Sequence, residues 1–224
     1  MDKRLCAIAE QLKNEDSVAD IGTDHAFLPV FLIKNGYAKR VIASDKREKP
    51  LARGKLNLIK QGVADKIELR LCSGLDGFTF DEFNAAVIAG MGAETIIEIL
   101  EAGKGVLQNK KLVLNPVSKS NLLLNYLNNG EYQVLNHNAV MSGGRIYEII
   151  TVKKENAKKD DDPLFNVLGK LDLKDSTAKK LAVKKRAVIK KMAGEIKNVA
   201  IKSDEYKKAE ELLKLLDERI KNGD

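Results

Sequence analysis

Along residues 1–153, short apolar runs alternate with segments of helical spacing; beyond them only the helical spacing continues. Ser17–Gly22 reads as a buried strand, and Leu28–Asn35 as a helix closed by Gly36. Arg40–Asp45 is the next expected strand, and Lys49–Lys60 a helix ending at Gly62. Lys66–Leu71 and Ala85–Ala89 read as strands, followed by a helix over Ala93–Glu101. Lys111–Leu114 predicts a strand and Lys119–Asn128 a helix. Tyr132–Val140 and Arg145–Val152 close the region as a hairpin about Ser142-Gly143-Gly144. Strands alternating with helices imply an α/β fold whose mostly parallel sheet is covered on both faces, with the hairpin as an antiparallel edge.

Residues 154–162, KENAKKDDD, carry Ala157 as their one apolar side chain and precede Pro163, the composition of a linker. Residues 163–224 then form a second, helical domain. Leu164, Val167, Leu168 and Leu171 share a short helical face. Leu181, Val188, Met192, Ile196 and Val199 recur at helical spacing, as do Leu212, Leu215, Leu216 and Ile220. Ser203 is placed to cap the last helix. Two long helices joined near Lys202–Asp204 are expected to pair antiparallel along these stripes, as helix–helix core.

Composition narrows the class. With 224 residues, 44% hydrophobic and 32% charged, the chain can bury a core. No apolar run approaches the roughly 20 residues of a membrane span, and the N-terminus does not read as a secretory leader. Two distant cysteines, Cys6 and Cys72, argue against a disulfide framework and for a reducing cytoplasm. Two histidines, His25 and His137, make a histidine-rich metal site an unfavoured reading, and no metal ligands are assigned. His137, in the expected hairpin, reads as an ordinary polar strand residue. The net charge is +7 and is unevenly spread. Residues 1–150 hold 19 basic and 18 acidic side chains, residues 151–224 hold 20 and 14, and residues 170–197 alone hold ten and three. Either the tail is a solvated lysine-rich surface, or it is the electrostatic footprint of a polyanion.

The segment richest in chemistry is Val18-Ala-Asp20-Ile-Gly22-Thr23-Asp24-His25, a strand that runs through a glycine turn towards a helix. There is no G-x-G-x-x-G and no P-loop, which disfavours NAD-dependent oxidation. Asp20 and Asp24 flank the turn; carboxylates repel a diphosphate and suit a ligand with an ammonium or sulfonium group. Asp45, followed by Lys46, stands where an acidic residue accepts hydrogen bonds from ribose. Ser73-Gly74 is placed to meet an adenine edge, and Gly90-Met91-Gly92 ends the fourth strand. Each sign alone is weak: a lone glycine turn is usually a turn, and an aspartate after a strand is often a helix cap. Four successive strand ends together favour S-adenosylmethionine over NAD.

Arg4-Leu5 with Ile8-Ala9, the run A-D-I-G-T-D-H-A-F-L-P, then I-A-G-M-G and the late I-Y-E-I occur in an order and spacing that resemble one family. It is the TrmK family, bacterial tRNA methyltransferases acting on N1 of adenine 22. The resemblance covers residues 3–153 closely and the tail by type only. It implies a Rossmann-like class I methyltransferase domain with a seven-stranded sheet, followed by a C-terminal antiparallel coiled coil. Carried over by position, Asp20, Gly22, Asp24 and His25 would line the cofactor loop, Asp45 would hold the ribose, and Gly90, Met91 and Gly92 would line the floor near the transferred methyl; Thr23, Lys46, Ser73 and Gly74 beside them are expected to bind S-adenosylmethionine as well. Asp24 would act on the base, with His25 the weaker alternative. Three positions depart from the family: Ser73, Ala93 after G-M-G, and Val117 in Asn115-Pro116-Val117.

Adenine N1 carries a lone pair and attacks a sulfonium methyl in line, so a carboxylate is needed only for the charge or proton at N6. N1 lies on the Watson–Crick edge, so the base must be exposed or flipped. Asn115-Pro116 either reads such a base or starts a turn. Phe27 and Tyr147 are either stacking partners or core. Lys184, Lys185 and Arg186 are expected to grip tRNA phosphates, in a cytoplasmic monomer with no obligate protein partner. The competing classes are a methyltransferase for another substrate and a non-catalytic RNA-binding protein on the same scaffold.

Overall fold

A computed structural model describes residues 2–129, 131–155, 157–200 and 203–223, with the side chains of 198–200 left out. The chain runs α1 (Lys3–Glu10), β1 (Glu15–Ile21), α2 (Phe27–Lys34), β2 (Ala38–Asp45), α3 (Glu48–Gln61), β3 (Ile67–Leu71), β4 (Ala85–Met91) and α4 (Ala93–Ala102). It continues through β5 (Lys111–Pro116), α5 (Ser120–Asn128), β6 (Tyr132–Ser142), β7 (Arg145–Lys154), α6 (Phe165–Leu168), α7 (Ser176–Ala200) and α8 (Asp204–Asn222). The seven strands form one sheet in the order β3-β2-β1-β4-β5-β7-β6. β1 to β5 are parallel; β7 runs antiparallel to both β5 and β6. The expected sheet is therefore present, with the hairpin as its antiparallel edge. Gly143 and Gly144 both take positive φ between the paired Ser142 and Arg145, the twist that a two-residue hairpin turn requires.

The two faces of the sheet carry separate apolar layers. Ile21, Ile42, Ile88, Leu112 and Ile150 pack with α4 and α5. Val18, Val41, Val87 and Val113 pack with α1, α2 and α3. The strands read as continuous apolar runs because both faces are covered.

Helix α1 is an element that the sequence reading did not anticipate. Asp2 caps it by accepting from Leu5 N at 2.8 Å, and Ile8, Ala9 and Leu12 bury its inner face. The segment expected as a linker is partly tied down. Lys154 is buried at the end of β7 and bonds Glu131, Asn128 and Asp160 exchange two hydrogen bonds, and Asp162 pairs with Arg219 of α8.

The helices beyond it pack on the hairpin. Phe165 of α6 enters the layer formed by α4 and α5, and Ala139 and Ile146 of the hairpin pack with Leu168, Leu181, Ala182 and Leu216. Ser203 caps α8 by accepting from Tyr206 N. The stripe expected on α7 holds at Leu181 and is corrected at Val188 and Met192. Val188 and Met192 are 59% and 55% exposed, while Ala182, Ile189 and Ala193 face the partners. From Ile189 onward the buried face is therefore rotated from the one that the larger side chains suggest. Val199 and the join at 201–202 lie outside the described side chains. No helix among the described residues is long and apolar enough to cross a membrane.

Candidate active site

Strand order reverses between β1 and β4, and a cleft of about 920 Å³ opens outside the carboxyl ends of these strands. Ten of the residues expected to serve cofactor or base line it: Asp20, Gly22, Thr23, Asp24, Asp45, Lys46, Ser73, Gly74, Gly90 and Met91.

Its floor depends on backbone that only glycine accepts easily. Gly22 has φ +79° and Gly90 φ +78°. A Cβ on Gly22 would stand 2.0 Å from the Met91 methyl. The amides of Gly22 and Thr23 both donate to the Ser44 carbonyl, at 2.8 and 2.7 Å, and pin the turn to β2. At the bottom lies the buried Asp20. Burial pushes its carboxyl up to about 6 against the pull of the Thr23 hydrogen bond, and no described cation offsets it. At the tip of β2, Asp45 Oδ1 accepts from Arg47 N at 2.8 Å and from Arg47 Nε at 3.2 Å, while Oδ2 accepts nothing in these pairings. On the opposite wall Ile99 approaches Gly74; a Cβ there would lie 3.3 Å from Ile99 Cγ1.

Asp24 is at the mouth, exposed, 3.6 Å from His25 Nε2 and 3.7 Å from Arg53 Nη1. His25 and Ala26 both hold left-handed backbone, φ 58° and 53°, and Asn57 fixes them by donating to the His25 carbonyl at 2.8 Å. Such conformations cost about 1 kcal/mol each and concentrate at functional sites. The His25 ring lies on Arg53 and on the ring of Phe27, and it is not among the residues that line the cleft.

Gly92 likewise does not line the cleft. It caps α4 beside Ser118, and Ala93 after it is fully buried, so a methyl group fits there. Asn115 is fully buried: its amide donates to the Glu148 carbonyl at 2.7 Å, and its oxygen accepts from Arg4 Nη1 at 3.4 Å. It therefore holds neighbours in place and does not face a base; Pro116 is buried beside it. Tyr147 lies under the Arg4 guanidinium.

In the tail, Lys184 is exposed as expected. Lys185 is not a surface cation. Its side chain is 13% exposed and donates to Glu148 Oε2 at 2.7 Å, Val167 O at 2.8 Å and Ser120 Oγ at 3.0 Å. His137 Nε2 lies 3.2 Å from the same Glu148 oxygen, so this histidine belongs to a buried polar cluster. Burial alone would raise the Glu148 carboxyl, but His137 and Lys185 hold it at about 2. Arg186 is paired with Asp217 across α7 and α8. Arg4, Leu5, Arg47, Cys72, Thr95, Glu98 and Ile99 line the cleft without having been singled out for it. The recurrence of Leu5, Ile8, Ala9 and Leu12 at helical spacing was the available signal for α1 and hence for Arg4.

Comparison with known proteins extends this picture. Residues 1–150 match the family described as "Methyltransferase domain". A Bacillus subtilis tRNA (adenine(22)-N(1))-methyltransferase is 33% identical over 154 residues, which span 68% of this chain and 65% of the relative's length. The crystal structure of the B. subtilis M1A22 tRNA methyltransferase TrmK superposes with a TM-score of 0.84 at 27% identity, covering 98% of each chain. Streptococcus pneumoniae Sp1610, solved in complex with S-adenosyl-L-methionine, gives 0.80 at 27% identity over 94% of this chain and 98% of that one. The chain thus belongs to the methyltransferase-domain family, and along its whole length, tail included, it is similar to the TrmK-type members.

Proposed function

We propose that this protein methylates N1 of adenine 22 in tRNA, with S-adenosylmethionine as methyl donor, as a monomer in the cytoplasm. Asp20 carries the reading: a buried carboxylate at the foot of a cleft, without a described cation, calls for a cationic ligand. The other walls fit the rest of that ligand. Asp45, which lines the cleft, would accept from ribose hydroxyls, and the apolar wall at Ile99 with Ser73 and Gly74 suits an adenine.

The donor supplies an electrophilic methyl group on a sulfonium. The protein's task is then mostly alignment, because adenine N1 is already nucleophilic and needs no base to expose its lone pair. Gly22 and Gly90 let backbone approach the reacting groups closely, with the Met91 methyl against Gly22. Charge develops on the attacked adenine, and its N6 becomes acidic. Asp24, exposed at the mouth with long contacts to His25 and Arg53, would stabilise that charge or accept the proton. Exposed Lys180, Lys184 and Lys191 on α7 offer phosphate contacts that give affinity without reading sequence.

The test is transfer of labelled methyl from S-adenosylmethionine to unmodified tRNA transcripts, with the product base mapped. N1-methyladenine at position 22, abolished by Asp24→Ala, is the expected result. Donor binding without transfer to any tRNA would overturn the substrate assignment.

A further inference from the structure

The mouth of the cleft has a side chamber that the methyl-transfer reading does not use. A second hollow of about 420 Å³ adjoins the cleft and shares Asp24 and Arg47 with it. Its other walls are Glu48, Lys49, Pro50 and Arg53. Three cations thus converge beside the carboxylate assigned to the base. Two of them are only loosely engaged. Arg53 Nη1 reaches Asp24 at 3.7 Å and His25 at 3.3 Å with its side chain 52% exposed; Arg47 reaches Asp45 through Nε, leaving the two terminal nitrogens of its fork for another acceptor. A planar guanidinium with free N–H groups matches a phosphate oxygen pair.

An aromatic surface stands next to them. Phe27, at the start of α2, is 53% exposed, lines the cleft, and is stacked on His25 with centroids 5.3 Å apart and planes 15° apart. The left-handed backbone of His25 and Ala26 precedes it, held by Asn57 from α3, so strained chain presents an apolar ring at the surface. A stacking ring beside a cationic groove is how proteins hold unpaired nucleotides.

We propose that this mouth is a nucleotide subsite. The side chamber takes a backbone phosphodiester through Arg53, with Arg47 and Lys49, and the exposed ring of Phe27 stacks the base of the strand entering the cleft. This inference rests on the methyl-transfer reading and adds an RNA contact outside the basic tail. It also gives Arg53 a positioning role: a phosphate that draws Arg53 away leaves Asp24 free for the target base.

The experiment measures tRNA binding at several salt concentrations, steady-state methyl transfer, and binding of S-adenosylhomocysteine, for the full chain and for Arg53→Ala, Arg53→Lys, Lys49→Ala and Phe27→Ala. Among the described residues Lys49 forms no ion pair or hydrogen bond with Asp24 or His25, so it tests the chamber without disturbing them. Expected are a rise in KM for tRNA of about tenfold for Arg53→Ala, partial rescue by Arg53→Lys, and kcat within about twofold. The log–log salt slope becomes shallower by about 0.7–0.9 for each cation removed. Phe27→Ala raises KM with the slope unchanged. In every variant S-adenosylhomocysteine binds as in the parent.

Unchanged KM and salt slope in both Arg53→Ala and Lys49→Ala would overturn the proposal. So would a kcat loss at constant KM, which would make Arg53 a support for Asp24 alone, or a matching loss of S-adenosylhomocysteine affinity. A parent chain that transfers no methyl to tRNA brings down the underlying reading instead, a result distinguishable because it precedes any variant.

Discussion

Two buried carboxylates in this molecule have been pushed in opposite directions. Asp20, under the cleft, is raised to about 6 because burial removes water and little replaces it. Glu148, between the hairpin and α7, is just as hidden, yet His137 and the Lys185 ammonium hold it at about 2. Burial is therefore not what separates the two; partnership is. The hairpin carboxylate has its partners, His137 and Lys185, within the chain and joins its parts. The cleft carboxylate is incomplete, and that incompleteness is the mark of a ligand site.

The sharpest way to break this contrast is to remove a partner from the paired carboxylate. Lys185→Met leaves Glu148 buried and charged, and should cost about 3–5 kcal/mol in denaturant unfolding. Adding Glu148→Met should recover part of that loss, because the pair is coupled. Asp20→Asn should act in the opposite sense. It relieves a desolvated charge and stabilises the ligand-free chain at pH 7.5 by about 1–3 kcal/mol, while S-adenosylmethionine affinity measured by calorimetry falls at least about tenfold.

Acidity separates the two in the same way. The raised Asp20 carboxyl makes its contribution to stability fall as pH climbs from about 4 to about 6, where the unfolded chain has lost the proton and the folded one keeps it. Donor affinity should rise over the upper part of that range, with one proton released on binding. The lowered Glu148 carboxyl contributes stability that is full above 4.5 and lost as pH falls towards 2. Parent, Asp20→Asn and Glu148→Gln unfolding curves between pH 3 and 8 would separate the two windows. The smallest effect belongs to Arg186→Ala. Its pair with Asp217 is solvated, and the melting temperature should stay within about 2 °C of the parent's.

Much of the cleft was legible in the sequence because parallel-sheet geometry turns strand ends into a list of sites. Once Ser17–Gly22, Arg40–Asp45 and Ala85–Ala89 read as strands, Asp20, Gly22, Asp45 and Gly90 had to meet at one end of the sheet. What stayed hidden depended on rotation and on pairing across long chain separations. His25 follows Asp24, yet left-handed backbone turns its ring away. Lys184 and Lys185 are neighbours of the same type, and about 100° of helical turn sends one to solvent and the other under the hairpin. Asn115 has the look of a base reader, but Glu148 and Arg4 occupy its amide from both sides. Helix α1 was concealed by its charges, since LysArg and Glu bracket an inner face of only a few apolar residues.

The Phe165 ring sits in the same apolar layer as Leu123, Leu124 and Leu127, and Gly169 passes His137 so closely that a Cβ would lie 2.5 Å from its ring nitrogen. The seam between body and tail is thus keyed, and the chain does not come apart as two modules. Cutting before Pro163 would open a socket in the body and strand Glu148 without its ammonium, so loss of the proposed tRNA binding in a shortened protein would report misfolding as readily as missing contacts. The share in tRNA binding proposed for the tail has to be tested in the intact chain, by neutralising its outward lysines one at a time.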